Sequence, residues 1–516
     1  MDYTEYGSKI GFLADAEAQF LNHVRYIQFF IKFSKARGIY PRSFMRKEFF
    51  NFVPLVNSKK QIFTFIGYIV FLLLFSISQI YAEIPIEGET LTLERMIGIA
   101  VCNNPRTKAT WAGAWYSYWN YKQTLSTNDP HLDYIGIADY NRRSIQGEGN
   151  SSTLTTYNQD LLLTYLVFDF GVRAATQSSA YFDYVSADFL RDWTVQDVIL
   201  DTVEAYTDYI NAVETIRARE ADLADTKLNF EVAQAHYEAG IKNISDALQA
   251  KSEYVNNELL LEVARGNEKV AMSNLKTVLA LPMMLSIHPQ ELSPDFAPSE
   301  IVFHMDQLLD KAQTQRSDLW SSYALVLEKE QGLQRARADG WPRLNFEWTV
   351  GRRSGLTPKE NYHTQGALIL TAPLYHGYYY ERGIRKAYFD LEEQKAFYKE
   401  ASLNASLDVA TNYYNFNTAY KTYMFSVELL SYAEKTYEVT LANYKAGIGG
   451  FDDLFNAQGT LTNARNSYIQ TKTAWILSLA RLIHAIGMLR GDKPLLNPHS
   501  KGDFNVQIGN AINKKE

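Results

Sequence analysis

The side chains able to do chemistry are scattered along the chain rather than grouped. The nine histidines (His23, His131, His236, His288, His304, His363, His376, His484 and His499) form neither an HExxH element nor an i,i+4 pair. The one cysteine, Cys102, excludes an intramolecular disulfide and every multi-cysteine zinc or iron–sulfur site. There is no GxSxG and no P-loop. The glycine-rich run at 447–450 (GIGG) follows a helical pattern rather than a strand, so it does not read as a phosphate cradle. His236 and His376, lacking clustered partners, read as local polar contacts. Acidic residues are abundant on helical segments, where charged faces are usually just solvated. We therefore assign no catalytic residue, no cofactor and no metal.

What does stand out is a set of matched residues. YEAGIKNISDALQA at 237–250 and YKAGIGGFDDLFNA at 444–457 share Tyr237/Tyr444, Ala239/Ala446, Gly240/Gly447, Ile241/Ile448, Asp246/Asp453 and Ala250/Ala457 at one offset of 207. So long a period indicates duplication of a whole structural unit rather than a short solenoid repeat. Gly240 and Gly447 suit the backbone reversal between antiparallel helices, where a positive φ is often needed. Asp246 and Asp453 each precede an apolar helical run, which is the position of an N-cap.

The elements that must hold these residues follow from composition. The chain has 516 residues, 46% hydrophobic and 21% charged, with 35 Tyr against 14 Pro. That is too long for one small core and too apolar for a disordered chain. A mean hydropathy of −0.26 excludes a bundle of many membrane-spanning helices. Residues 62–75 (IFTFIGYIVFLLLF) form one uncharged apolar run behind Lys59 and Lys60. The run is short for a bilayer span and reads as a secretory signal peptide with cleavage after Ala82; the alternative is an uncleaved anchor. Since 61 residues precede it, Met45 is a candidate start. No Cys follows it to carry a lipid. Residues 1–82 hold ten basic and five acidic residues, so the rest stands at net −12 against −7 for the whole chain. An acidic exported chain without a basic patch is not a nucleic-acid binder.

Proline is absent from Val172 to Leu281 and from Leu374 to Lys493, and clusters at 282–298. The organisation expected is therefore an extension and leader over 1–82, a first repeat over 83–281, a Pro-rich linker over 282–305, a second repeat over 306–490 and a tail over 491–516. Each repeat opens with a helical segment, 91–123 or 306–338. Two β-like runs follow: 131–143 and 157–168, then Arg343–Val350 and Thr364–Leu374, with polar loops between them. The run from Arg343 alternates, putting Leu344, Phe346, Trp348 and Val350 on one face.

Next comes a very long helix. Val195, Val198, Thr202, Ala205, Tyr209, Ala212, Ile216, Arg219, Leu223, Thr226, Phe230, Ala233 and Tyr237 step by 3 and 4, and Ile199, Val203, Tyr206, Ile210 and Val213 form a second stripe. Two adjacent stripes imply a neighbour on each side. The shifted stripe (Val409, Phe416, Ala419, Tyr423, Leu430, Ala433, Tyr437, Tyr444) repeats it, with lapses at Ser402, Asn412 and Ser426. A tight turn and a shorter returning helix, ending near Leu281 or Leu489, close each repeat. Periodicity alone fits a structural or adhesive coiled-coil rod. It leaves the strands unexplained: an isolated hairpin is marginal, and four strands do not close a barrel. Three chains would pool twelve, with Leu344, Phe346, Trp348 and Val350 facing lipid.

In this order, behind a leader, the elements resemble the TolC family of outer-membrane efflux and secretion ducts over about 90–490. The residues carrying the likeness are LTLERMIGIAVCNNP at 91–105, its echo at Arg316–Leu319, the corner Phe168-Asp169-Phe170-Gly171, and the two turns Tyr-x-x-Gly-x-x-x-x-x-Asp. The second corner, Leu374-Tyr375-His376-Gly377, has His where the family has Asp. The resemblance implies a mostly α fold with a small β part. A homotrimer would form a twelve-stranded barrel in the outer membrane and a long antiparallel α-helical barrel in the periplasm. It implies a passive, non-enzymatic duct for substrates delivered by an inner-membrane transporter and a periplasmic adaptor. The turns, with Ala239, Gly240, Ile241, Ala446, Gly447 and Ile448, would meet the adaptor. Asp246, Tyr444 and Asp453 would guard the entrance, Tyr444 pairing with Asp246, and three chains would ring it with carboxylates that favour cations. Gly449 stands where the family places an Arg, and Asn456 where it places a second Asp, which predicts a looser or differently latched entrance.

Overall fold

A computed structural model describes residues 90–144, 151–291, 304–355 and 361–489. The leader predicted within 1–82 and the tail over 491–516 lie outside them. The first helical segment is not one helix but two, α1 (Leu93–Asn103) and α2 (Pro105–Leu125). Thr92 Oγ1 accepts from the Arg95 amide and starts α1. Pro105 has no N–H to continue α1, but its fixed φ suits the first turn of a new helix, and Asn104 caps that turn by accepting from the Arg106 amide at 2.9 Å.

After two long strands comes α3 (Val172–Glu238), 67 residues and roughly 100 Å long, then the returning α4 (Ile244–Val278). The second repeat matches: α5 (Met305–Gln315), α6 (Ser317–Ala338), the 67-residue α7 (Tyr379–Lys445) and α8 (Phe451–Ala485). Here too the expected single helix, 306–338, is broken, although Arg316 is no proline. Arg316 is buried and held by its partners. It donates to the Ala485 carbonyl at 2.9 Å and to Asp408 and Asp318 at 2.8 Å, and it lies over the Trp193 ring at 4.6 Å. Asn104 makes the matching tie in the first repeat, donating to the Val278 carbonyl at 3.1 Å. Each break thus abuts the end of its own returning helix.

Two equivalent cores sit at this level. Met96, Ile99 and Ala100 of α1 pack with Val198, Tyr206 and Ile210 of α3 and Leu275 of α4. Leu308 and Ala312 of α5 pack with Val409 and Phe416 of α7 and Trp475 and Leu482 of α8. The first part of the predicted linker belongs to the first of these cores. There β1 (Thr90–Leu91) pairs in parallel with β4 (His288–Pro289), and Tyr206 Oη donates to the Gln290 carbonyl at 2.6 Å.

The long-helix stripe of α3 is displaced from the strict heptad. Burial runs Val198, Thr202, Ala205, Tyr206, Ile210, Ala218, Asp222, Thr226, Asn229, Ala233, so Leu223 gives way to Asp222. A nearly straight helix turns every 3.6 residues, and the 3.5-residue count drifts off its face. Of the lapses in the second stripe, Ser426 is buried, donating to the Tyr423 carbonyl and sharing a hydrogen bond with Thr471.

The strands β2 (His131–Ser144), β3 (Ser151–Phe168), β5 (Arg343–Gly355) and β6 (Asn361–Thr371) form one antiparallel sheet in the order β2-β3-β5-β6. They outrun the expected apolar stretches at their outer ends, because ladder pairing continues through polar residues such as Arg353 and Asn158, whose side chains bond at 2.9 Å. β6 stops at Thr371 instead of Leu374; Pro373, two residues on, has no amide for a ladder.

Candidate functional site

Two places can do work in this fold: the sheet and the helix tips. Register assigns the sheet one apolar face. Phe346, Trp348 and Val350 lie opposite Tyr165, Leu163 and Leu161 on β3, while Leu344 and Phe346 lie opposite Leu370 and Leu368 on β6. Leu132 and Tyr134 of β2 continue the same rows. Trp348 is 46% exposed and Leu368 69%, so none of the described residues covers this face. The opposite face carries Asp133, Asp139, Asp160, Glu347, Arg343 and Arg353 by alternation. The predicted face of Leu344, Phe346, Trp348 and Val350 is therefore one quarter of a continuous surface.

Where strand meets helix, Phe170 (φ 53°) and Gly171 (φ 97°) turn the chain through left-handed geometry. Asp169, buried, accepts from the Gly171 and Arg173 amides at 3.2 and 2.7 Å and so caps α3. At the second corner the left-handed pair is Gly377 and Tyr378, and no side chain caps α7. His376 stacks edge-on with Tyr380 instead.

At the far end, both tips turn as their glycines predict. Gly240 has φ 75° and Gly447 φ 78°, a region L side chains rarely adopt. Ile241 and Ile448 project there, 58% and 81% exposed. The caps are not the aspartates. Asn243 starts α4 and Gly450 starts α8, which leaves Asp246 and Asp453 within the first turns. Carboxylates in that position still interact favourably with the helix dipole.

Tyr444 and Tyr237, sequence equivalents, part company. Tyr237 is 41% exposed and Tyr444 fully buried among Ala433, Phe451, Leu454 and Ala250. The expected Tyr444–Asp246 hydrogen bond is not made; the Tyr444 hydroxyl has no partner. Burial, and then the nearby Asp246 charge, push its pKa up to about 12. His236 lies against it, ring centroids 5.1 Å apart, with its own Nδ1 unpartnered.

A tie between the tips comes from a residue outside the expected set. Lys242 Nζ donates to the Gly449 carbonyl at 3.2 Å. These two positions are themselves equivalents at the 207 offset, a signal that could have found them. A Cβ at Gly449 would sit 3.2 Å from the Tyr444 amide nitrogen, so a side chain there is crowded.

Between tips and breaks, polar pairs join α3 to α8 and α7. Arg465 reaches Asp222 at 2.7 Å and Asp225 at 2.8 Å, and the Tyr437 hydroxyl donates to Asn229 at 3.0 Å. A heptad reading has no means of finding these. Among the described residues no helix is long and apolar enough to cross a membrane, which says nothing of the strands.

A sheet apolar on one side and uncovered, carried on duplicated 67-residue helices, defines an outer-membrane channel. Residues 97–281 and 308–488 match the outer membrane efflux protein family, and the chain belongs to it. It is 23% identical to Protein CyaE of Bordetella pertussis over 74% of this chain and 81% of that one. It is 20% identical to the outer membrane protein TolC of Escherichia coli over 72% and 77%. Among solved structures, the outer-membrane channel OprN superposes with a TM-score of 0.70 at 15% identity, over 78% of this chain and 93% of that one. The Campylobacter jejuni CmeC outer membrane channel also gives 0.70, at 17% identity, over 80% and 88%. The chain is thus an outer-membrane duct of the efflux or type I secretion kind, with its helices in the periplasm. That membership excludes the coiled-coil rod.

Proposed function

We propose that three copies of this chain close into a single duct, whose tips meet a periplasmic adaptor and whose substrates arrive from an inner-membrane transporter. The observation that carries this reading is the open sheet. Its edge strands, β2 and β6, have no partners within the described chain, while its apolar face is continuous. An open ladder does not persist in lipid, and a closed one of twelve strands does.

The helices support the same closure. In the upper layer the packing order is α2-α3-α6-α7, and in the lower layer α4-α3-α8-α7. The outermost helices expose apolar stripes: Trp111, Trp115 and Trp119 on α2, Leu248, Leu259 and Val263 on α4. On the far edge, α7 exposes Phe389, Leu403, Phe425 and Tyr432. Since α4 climbs from the tips and α7 descends to them, Leu259 of one copy stands level with Tyr432 of the next.

The adaptor contact is assigned to Ala239, Gly240 and Ile241 with Ala446, Gly447 and Ile448, where backbone and isoleucine side chains are exposed at the tips. The entrance is assigned to Asp246, Tyr444 and Asp453, with Lys242 replacing the absent arginine as the tether. Detergent-extracted protein should run as a trimer and give discrete conductance steps in planar bilayers. A monomer without conductance overturns the reading.

A further inference from the structure

Gly351 sits mid-strand, where a glycine ordinarily weakens a sheet or marks a close approach. Here it is the approach that counts. A Cβ at 351 would collide with Asp160 Oδ1 and lie 2.5 Å from His363 Cε1. The register puts Ile135, Asp160, Gly351 and His363 in one row across all four strands. Asp160 and His363 belong to strands that do not pair with each other, yet His363 Nε2 comes within 3.4 Å of Asp160 Oδ1 by reaching over the bare Cα between them. That carboxylate oxygen is buried and makes no hydrogen bond. The row lies on the face opposite Trp348 and Val350, the interior if the proposed trimer closes.

We propose that the Asp160–His363 pair, made possible by Gly351, sets the charge preference of the barrel interior and makes it depend on pH. With the imidazole protonated the pair is neutral. With it neutral, each chain adds one negative charge to the wall, three per duct. Imidazole is the side chain that changes charge between pH 5 and 8. The surroundings leave this change uncompensated. On β5 the same face offers Thr349, Glu347 four residues away, and Arg353, which is bonded to Asn158. On β6 it offers Asn361 and Gln365, and on β3 Asn158 and Leu162. On β2, Asp133 and Ile137 flank Ile135, with His131 and Asp139 each four residues away on the same face, and the next copy would present its own β2 across the closing seam. Twelve strands about 4.8 Å apart and tilted by about 40° enclose a cylinder of roughly 12 Å radius. That is close to the Debye length of about 10 Å at 0.1 M salt, so wall charges act across much of the lumen.

The inference rests on the duct reading and is tested on the intact trimer in planar bilayers under a KCl gradient. An Asp246→Asn/Asp453→Asn background removes the tip carboxylates from the reading. The K⁺/Cl⁻ permeability ratio should rise by roughly twofold or more between pH 5 and pH 8. His363→Asn should abolish that rise, and Asp160→Asn should lower the ratio at both pH values while leaving a rise between them. His236→Asn, a titratable change at the opposite end, should leave the rise in place. A conducting pore whose ratio ignores pH, or a His363→Asn pore that keeps the full rise, overturns the inference alone. Protein that forms no pore overturns the duct reading with it.

Discussion

Arg465 of α8 donates to Asp222 of α3 across 243 residues of sequence, and the carboxylate it meets is only 1% exposed. The same guanidinium nitrogen holds Asp225, and Arg219 stands 3.5 Å from Asp222 on the other side. A buried charge is tolerable only when paired.

Removing the cation alone should therefore be costly. Arg465→Met leaves Asp222 with little beyond Arg219 and is expected to destabilise the helical domain by about 3 kcal/mol, read from thermal or denaturant unfolding of the purified protein. Adding Asp222→Leu to that variant should recover much of the loss. If the double variant is no better than the single one, the pair is not acting as an electrostatic unit.

Tyr444 separates a packing role from a latch. Its hydroxyl is buried without a partner, so Tyr444→Phe should be neutral or stabilising by up to about 1 kcal/mol. Tyr444→Ala empties a core site and should cost about 3–5 kcal/mol. Single-channel conductance should match wild type in the Phe variant. A more open Tyr444→Phe channel would show that the hydroxyl restrains the entrance after all.

Lys242 should carry the restraint instead. Its acceptor is a backbone carbonyl, which no substitution at Gly449 can delete, so the amine is the point to attack. Lys242→Met is expected to change stability by no more than about 1 kcal/mol, the usual net worth of one partly buried hydrogen bond. It should nonetheless raise the conductance of the isolated channel. Identical conductance in the two proteins would remove Lys242 from the entrance.

The two faces of β5 give a paired test. Trp348→Arg puts a charge among Leu163, Gly366 and the apolar rows proposed to face lipid, and should cost about 2–4 kcal/mol, or block assembly. Thr349→Arg, one residue on and facing inward, should assemble normally. Trimer yield on a denaturing gel without boiling distinguishes them, and equal yields would mean the faces are misassigned.

Acid should favour the helical domain before it harms it. Asp201, Asp208 and Asp225 of α3 all have raised pKa values, chiefly through burial. The folded chain thus holds these protons more tightly than the unfolded chain does. Their contribution is fully present below the ordinary value of 3.8 and is lost as pH rises through the raised folded values. Exposed Glu291, lowered by its hydrogen bond to Arg217, works the other way. The unfolding temperature should rise as pH falls from 7 toward the carboxylate range. Asp208→Asn should flatten that rise.

Much of this was legible in residues alone because the determinants are local. The left-handed turns at Gly240 and Gly447, the alternation from Leu344 to Val350 and the proline-free helices all follow from backbone chemistry within a few positions. What stayed hidden is set by distant partners. The break at Arg316 needs Asp408 and the Ala485 carbonyl, and no proline announces it. Asp222 looks like a solvated charge until Arg465 arrives. Tyr237 and Tyr444 hold equivalent positions in the two repeats, yet only the second is buried, between Phe451 and Leu454 of its own hairpin and Ala250 of the other. Gly351 reads as the start of a loop until strands on both sides are in place.

The unpaired margins of β2 and β6 also dictate an order of events. A lone chain entering hydrocarbon would bring two rows of bare amides with it, each unsatisfied group a burden of several kcal/mol. If the proposed trimer closes the barrel, insertion has to wait for, or coincide with, encounter between chains. Maturation of the channel would then depend on how fast the cell delivers new copies to the membrane.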